Sequence, residues 1–455
     1  MEGWGAVKRT WRVLGCVVLL TLVIYGVFHG KSRLVYGIDG PYYLLQVESL
    51  QKTGTLRYGD PPLAFYTFYA LSILLRDVVL GVKVGTVLAA VGVSIALFLL
   101  LEEVFRRWEI VAAGCTAAVV SPHLLRLSCD FLKNLMGSIF SILALFAFIC
   151  AVRHQEYWEA IAALGCLLLA AVTHCLAFAI GLALVLLYGS VELVVRQERR
   201  PRVLRILLTT LLIPAAAALV GLLLFPTYFA DVLKAEAFLE ELLTGEGSLL
   251  PLMSPLSNTV FGISCAGVVL GWKQLQEQQE TASFVLAVSL LGVGLTLPIL
   301  PWGWAWRFSL MGFIPIAVVI AAFVYELRKQ LLVVAVLAAL LIPLTAQTAV
   351  GILVWGPCIT ETEYHDLIAM ASYVSTNSVV ASPLKHLRYW TEYLLHCSWA
   401  REPEPTLFQQ YDHIFLLLHT TDIPPPSATL VYQGKALALY ELRSPVGKPP
   451  LPPHR

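Results

Sequence analysis

Charge is what this 455-residue chain has least of: 13% of it is Asp, Glu, Lys or Arg, against about 25% in an average soluble domain. Its 31 bases and 30 acids cancel, so net charge points to no acidic or nucleic-acid partner. Nine cysteines over this length make no disulfide framework, and no CxxC pair or Cys/His cluster with zinc spacing occurs. Whether Cys358 and Cys397 pair is open at this stage. There is no sequence repeat of the kind that marks many transporters. Poverty of charge, 58% hydrophobic residues and a mean hydropathy of +0.76 exclude a soluble enzyme, a disordered chain and a free nucleic-acid binder. They describe a polytopic membrane protein.

About eleven stretches are apolar and long enough to cross a bilayer, which takes about 20 residues of helix. They are Val13–Phe28, Val78–Leu101, Ile110–Leu125, Leu135–Ala151, Trp158–Thr173, Cys175–Val195, Ile206–Phe225, Leu256–Trp272, Thr281–Leu300, Phe308–Tyr325 and Leu331–Trp355. The first has no small-x-small cleavage site after it and reads as a retained anchor. Pro62–Leu75 is apolar, but as a helix it reaches only about 21 Å. Its four aromatics, Phe65, Tyr66, Phe68 and Tyr69, suit the membrane–water interface. If it lies on the outer surface, the short inner loops collect Lys8, Arg9, Arg12, Arg106, Arg107, Arg153, the five arginines between Arg196 and Arg205, Lys273, Arg328 and Lys329. If it spans, that arginine loop faces outward, against the positive-inside rule. The expected topology therefore puts the N-terminus in the cytoplasm and the C-terminus outside the cell membrane.

Long outer segments follow from this topology: His29–Leu75, Pro226–Pro255 and everything after Trp355. Long loops in a compact protein are usually functional. Residues 356–443 read as a small extracytoplasmic α/β domain. It has helices at Glu361–Ser375 and Leu384–His396, a short strand at Ser378–Ala381, and strands at Asp412–Leu418, Ala428–Tyr432 and Ala436–Glu441. Gln433-Gly434-Lys435 is a hairpin signal between the last two. Residues 1–355 form an all-α membrane domain with two outer juxtamembrane helices, and the Pro-rich tail 444–455 reads as disordered.

A few polar residues stand out at the outer ends of the spans. Asp39, in Gly37-Ile38-Asp39-Gly40-Pro41-Tyr42-Tyr43, precedes a helix that Pro41 opens. It is either a capping carboxylate or a catalytic one held at the membrane surface. Asp60, before Pro61-Pro62, is better read as a cap. In Ser128-Cys129-Asp130-Phe131-Leu132-Lys133-Asn134, Asp130 and Lys133 share a face if the stretch is helical. They form either a surface ion pair or a polar cluster facing an outer cavity. His174 sits between two apolar stretches, as a turn residue or as a site group. Arg307 ends the aromatic turn Pro301-Trp302-Gly303-Trp304-Ala305-Trp306. It either snorkels or contacts phosphate, whose geometry a guanidinium matches.

The order of these features resembles the GT-C superfamily of membrane glycosyltransferases. The segment runs from Asp39-Gly40-Pro41-Tyr42-Tyr43, through Gly59-Asp60-Pro61-Pro62-Leu63, into the span from Val78. In that family an acidic residue lies in the first outer loop, two surface helices follow, and a second polar site comes after the third span. The specific match covers roughly residues 36–135. Arg388-Tyr389-Trp390-Thr391-Glu392-Tyr393 lacks the Trp-Trp-Asp-Tyr-Gly string of the oligosaccharyltransferase branch. The protein mannosyltransferases and lipid A aminoarabinose transferases are therefore nearer.

The resemblance implies transfer of a sugar from a polyprenyl-phosphate carrier to a lipid, glycan or protein acceptor at the outer face. Asp39 would be the catalytic base that activates the acceptor, or would orient it. Lys133 and Arg307 would hold the donor phosphate, with Asp130, Asn134 and His174 as supporting polar groups and an apolar groove between spans for the lipid tail. A divalent metal is an open question, with Asp39 and Asp130 as candidate ligands. A multi-pass transporter and a non-catalytic subunit with a degenerate GT-C fold are the alternatives.

Overall fold

The computed structural model describes residues 2–226, 231–244, 254–297, 299–327, 332–375 and 377–443. The tail 444–455 and parts of the 226–255 loop lie outside these residues. The chain divides into two compact units, Met1–Arg33 with Tyr58–Trp355, and Leu34–Arg57 with Gly356–Arg455. Residues 34–57 cluster with the second unit rather than with the spans.

In chain order the helices up to residue 354 are α1 (Glu2–Gly30), α2 (Gly40–Thr53), α3 (Leu63–Leu75), α4 (Val78–Phe105), α5 (Trp108–Val119), α6 (Pro122–Asp130), α7 (Leu132–His154) and α8 (Tyr157–Ala171). They continue as α9 (Cys175–Val195), α10 (Arg200–Leu224), α11 (Asp231–Thr244), α12 (Pro255–Gln276), α13 (Ala282–Leu295), α14 (Trp302–Ser309), α15 (Phe313–Leu327) and α16 (Leu332–Val354). All but α2 belong to the first unit. Among the described residues seven helical segments are long and apolar enough to cross a membrane, or eight if the bent pair α5–α6 is one span. The other three expected spans fall on the shorter apolar helices Tyr157–Ala171, Ala282–Leu295 and Ala338–Val354.

Small residues set how closely these helices approach. α3 and α4 form a hairpin in which Gly81 faces Ser72 and Gly85 faces Phe68; a Cβ on Gly81 would stand 2.2 Å from the Ser72 hydroxyl. The turn between them is closed by Arg76 in the left-handed region (φ 56°) and by Asp77, which caps α4 through the Leu80 amide at 2.8 Å. α4 has 28 residues, about 42 Å of helix, and its two ends differ. Near its start Lys83 donates to the Ser32 carbonyl, and the neighbouring Lys31 caps the end of α16 through the carbonyls of Ile352, Leu353 and Trp355. At its far end Glu103 gathers Arg106 and Arg153.

Two breaks interrupt the expected spans. Ser121 caps α6 and Pro122 opens it, and α5 and α6 are bent by 46°, so the expected span Ile110–Leu125 is not one straight helix. Proline lacks the amide that would have continued the ladder. At Phe131 (φ −128°, ψ 60°) the chain leaves the helical region again before α7 begins.

The second unit is a small α/β fold. Its helices are α17 (Glu361–Met370), α18 (Arg388–Leu395) and α19 (Leu407–Gln410); its strands are β1 (Ser378–Ala381), β2 (Ser398–Ala400), β3 (His413–His419), β4 (Ala428–Gln433) and β5 (Leu437–Leu442). The sheet order is β2-β1-β3-β5-β4, with β1 parallel to β2 and β3, and β5 antiparallel to β3 and β4. Strand β3 is central and apolar, Ile414 to Leu418 all buried, as expected for a strand covered on both faces.

A capping box between Thr360 and Glu363 starts α17. One turn on, Asp366 accepts the amides of Lys435 (3.1 Å), Ala436 (2.7 Å) and Leu437 (2.9 Å), fastening the β4–β5 hairpin. Gly434 is required there, because a Cβ would lie 2.3 Å from the Asp366 carboxyl carbon. Helix α2 joins this unit through Tyr42 against Tyr389 (5.2 Å between ring centroids) and through Arg57, which pairs with Glu392 at 3.7 Å and donates to the Cys397 carbonyl at 3.3 Å. Cys358 and Cys397 are both free thiols.

Candidate functional site

Asp130 and Lys133 lie on either side of the α6–α7 break, and their pairing differs from the sequence reading. Asp130 and Lys133 do not share a helical face, since Phe131 separates the end of α6 from the start of α7. Asp130 pairs one turn back with Arg126, at 2.7 Å. Lys133 reaches across to Asp60, with Nζ at 2.6 and 2.5 Å from its two carboxylate oxygens. Asp60 is therefore no helix cap; the N-cap position of α3 is Pro62. Both partners are buried, Asp60 to 4% exposure and Lys133 to 8%, and the Phe65 ring lies 5.8 Å from the ammonium. Pairing offsets part of the cost of withdrawing two charges from water. The next residue, Asn134, is 4% exposed and its side-chain oxygen has no hydrogen-bond partner among the described residues.

Arg307 comes to the same break. Phe131 packs against Trp306 with ring centroids 5.2 Å apart and planes tilted by 56°. The exposed Arg307 guanidinium lies 5.8 Å from the rings of Phe131, Trp304 and Trp306. Among the described residues no carboxylate pairs with it. Helix α11 buttresses this turn: Glu241 accepts the Trp304 indole N–H at 2.9 Å and Phe238 packs on Trp304 and Phe308. A planar cation backed by aromatic faces keeps its charge and its donors for an anion.

His174 acts as the cap of α9: its Nδ1 accepts the Leu176 amide at 3.1 Å. Behind the break, His29 Nε2 lies 3.3 Å from the Ser128 hydroxyl. His29 also borders a cleft of about 710 Å³ between α1 and α4. Leu22, Val84, Val87 and Leu88 make its apolar walls, and His29, Arg33, Asp77 and Lys83 line it with polar groups. Its size is that of an ordinary ligand pocket.

Asp39 belongs to the second unit. It occupies the N-cap position of α2 with helical torsions (φ −85°, ψ −6°), and its side chain makes no capping hydrogen bond. A capping residue normally has extended torsions, which turn its oxygen toward the N2 and N3 amides, so the purely capping reading of Asp39 does not hold. Among the described residues, neither Asp39 nor Asp130 belongs to a group of three or more His, Cys, Asp or Glu ligand atoms close enough to share a metal.

The residues that sequence reasoning missed are Asp60 as an ion-pair partner and Arg126. The i,i+4 spacing of Arg126 and Asp130 was a usable signal. The 73-residue separation of Asp60 and Lys133 left none.

The family model described as "6-pyruvoyl-tetrahydropterin synthase related domain; membrane protein" matches residues 56–354. No curated protein matches the sequence. Among solved structures, the chain is similar to the Archaeoglobus fulgidus oligosaccharyltransferase in complex with Zn and sulfate, at 13% identity and a TM-score of 0.62, over 89% of this chain and 67% of that one. It is also similar to ArnT from Cupriavidus metallidurans bound to undecaprenyl phosphate, at 12% identity and a TM-score of 0.60, over 96% of this chain and 99% of that one. ArnT in the apo state gives 0.56 at the same identity and coverage. The fold is GT-C-like, as the order of motifs in residues 36–135 implied.

Proposed function

This chain belongs to the family of membrane proteins described as 6-pyruvoyl-tetrahydropterin synthase related, and we propose that it works as a membrane glycosyltransferase drawing its sugar from a polyprenyl-phosphate carrier. The observation that carries the reading is Arg307, an exposed arginine within cation–π distance of three aromatic rings and with no acidic partner among the described residues, set at the α6–α7 break of a GT-C-like fold. The undecaprenyl phosphate bound by the similar ArnT supports a lipid-phosphate donor.

In this mechanism Arg307 holds the donor phosphate and steadies the charge that develops on it as the sugar leaves. The cleft between α1 and α4 takes the apolar tail. Lys133, committed to Asp60, positions the start of α7, and Asn134 offers its amide beside it. Asp39 takes the proton of the acceptor hydroxyl, which then attacks the anomeric carbon. The reaction lies at the outer face of the cell membrane, with the N-terminus in the cytoplasm.

The test is transfer from polyprenyl-phosphate sugars by the full chain in liposomes, with Asp39→Asn beside it. This change keeps size and polarity but cannot accept a proton. Turnover should fall by about 10²–10⁴-fold while donor binding holds. Unchanged turnover removes Asp39 from the chemistry. No transfer by the wild type from any of several carrier-linked sugars favours a non-catalytic subunit.

A further inference from the structure

The second unit brings together three potential metal ligands that the glycosyltransferase reading does not use. Glu363 sits in the first turn of α17, His386 in the 3₁₀ turn Lys385–Leu387 before α18, and His419 at the end of β3. One ligand atom from each falls within 4.8 Å of the others. The two imidazoles are stacked, with centroids 6.4 Å apart and planes 24° from parallel. We infer that Glu363, His386 and His419 form a binding site for a transition-metal dication of the Zn²⁺ type.

Three features argue for a site rather than a chance meeting. The first is orientation of the carboxylate. Glu363 Oε2 is engaged by the Thr360 amide (2.7 Å) and hydroxyl (2.9 Å) in the capping box. The Glu363 side chain is thereby fixed, and its other oxygen is directed at His386. The second is spacing. Glu363 Oε1 and His386 Nε2 are 3.7 Å apart, beyond ordinary hydrogen-bond reach. Two ligands bonded to one tetrahedral zinc at 2.0–2.1 Å stand about 3.4 Å from each other. The third is support. His419 is held where β3 ends by the Asp422 carboxylate, which accepts the His419 amide at 3.0 Å, and the Glu363 side chain is buried. A shift of about 1 Å in the half-buried imidazoles closes the set around a metal at ordinary bond lengths.

Two imidazoles and one carboxylate suit a borderline cation and leave a fourth position to water. The other three-residue group, Cys150, His154 and Glu159, is less suited. There His154 already contacts Glu159 at 2.8 Å and faces Glu103 at 3.7 Å, in a network that Arg153 neutralises. Bound metal would staple α17, the turn leading into α18, and β3. It would thus stiffen the helix whose Tyr389 packs on Tyr42 of α2, the helix that Asp39 opens.

The test uses the full chain in detergent, stripped with EDTA and titrated with Zn²⁺ against a chelating dye, with thermal unfolding followed in parallel. The difference between wild type and variants isolates this site from any other metal on the chain. His386→Ala and His419→Ala should each lose one Zn²⁺ equivalent or weaken it by more than about tenfold, and should lose the Zn²⁺-induced rise in Tm. His154→Ala and His365→Ala should keep both. Histidine variants are preferred to Glu363→Gln, which also breaks the capping box. If one histidine variant melts below the wild type in EDTA, the other carries the test. Co²⁺ in place of Zn²⁺ should give the visible bands of a tetrahedral or five-coordinate site, lost in the same variants. Equal Zn²⁺ stoichiometry, affinity and Tm response in wild type and both histidine variants would overturn the assignment.

Discussion

Lys133 Nζ lies 2.6 and 2.5 Å from the two carboxylate oxygens of Asp60, with both residues buried. This pair joins the segment before α3 to the first turn of α7 and gives Lys133 a buried acidic partner. Removing one member of such a pair typically costs about 3–5 kcal/mol, whereas replacing both is often near neutral. Lys133→Met should therefore lower Tm strongly, and Asp60→Asn/Lys133→Met should recover most of the loss. Equal melting of single and double variants would show that the two charges are not coupled. Donor affinity decides the lysine's role: it returns in the double variant if Lys133 only neutralises Asp60, and stays lost if Lys133 touches phosphate.

The topology is testable without chemistry. A reporter fused after Gly356 should respond as extracytoplasmic, and one in the Arg196–Arg205 loop as cytoplasmic. The motive is the arginine content of that loop and the length of α3, 13 residues, too short for a core of about 30 Å. Reporters on one side of the membrane would sink the assignment.

What the sequence disclosed follows from range. Long apolar windows are local, so α4, α7, α9 and α12 stand close to their expected bounds. The Gln433-Gly434-Lys435 hairpin is local too. Strand β2, Ser398–Ala400, is three residues long, too short for a period-2 signal. Phe131 breaks the helix between Asp130 and Lys133 with no proline or glycine to announce it. The association of residues 34–57 with the second unit depends on contacts between residues far apart in sequence, such as Arg57 with Glu392, which no window reads.

Cys397 is buried, and burial beside Glu392 pushes its thiol up to about 12. A thiol that ionises near 8.5–9 when unfolded then holds its proton longer in the fold. Its contribution to stability is complete below the unfolded pKa and is lost as pH rises from about 9 to 12. At pH 8.5 its thiolate fraction is about a thousandfold below that of an ordinary thiol. Peptide mapping after brief iodoacetamide treatment of the folded protein should find Cys358, which is half-buried, modified well ahead of Cys397. Equal labelling of the two would show that Cys397 is not shielded.

Arg307 offers the sharpest test of donor binding. Its guanidinium lies 5.8 Å from the rings of Phe131, Trp304 and Trp306, and its N–H groups are exposed to an incoming anion. Arg307→Lys keeps the charge but loses the planar fork and the guanidinium's contacts with the rings. At about 0.5–1 kcal/mol per exposed cation–π contact plus the lost bidentate geometry, donor affinity should fall about tenfold or more. Excess donor should restore much of the rate, because the remaining charge still stabilises the leaving phosphate. Arg307→Gln removes that charge, so its kcat should fall as well and excess donor should not rescue it. Trp306→Leu takes away one supporting face and should weaken donor binding by less than Arg307→Lys does. The measurements are direct binding of a polyprenyl phosphate and steady-state transfer at varied donor. If Arg307→Lys and Arg307→Gln bind donor as the wild type does, the arginine is only an interfacial anchor, and the phosphate contact lies elsewhere on the chain.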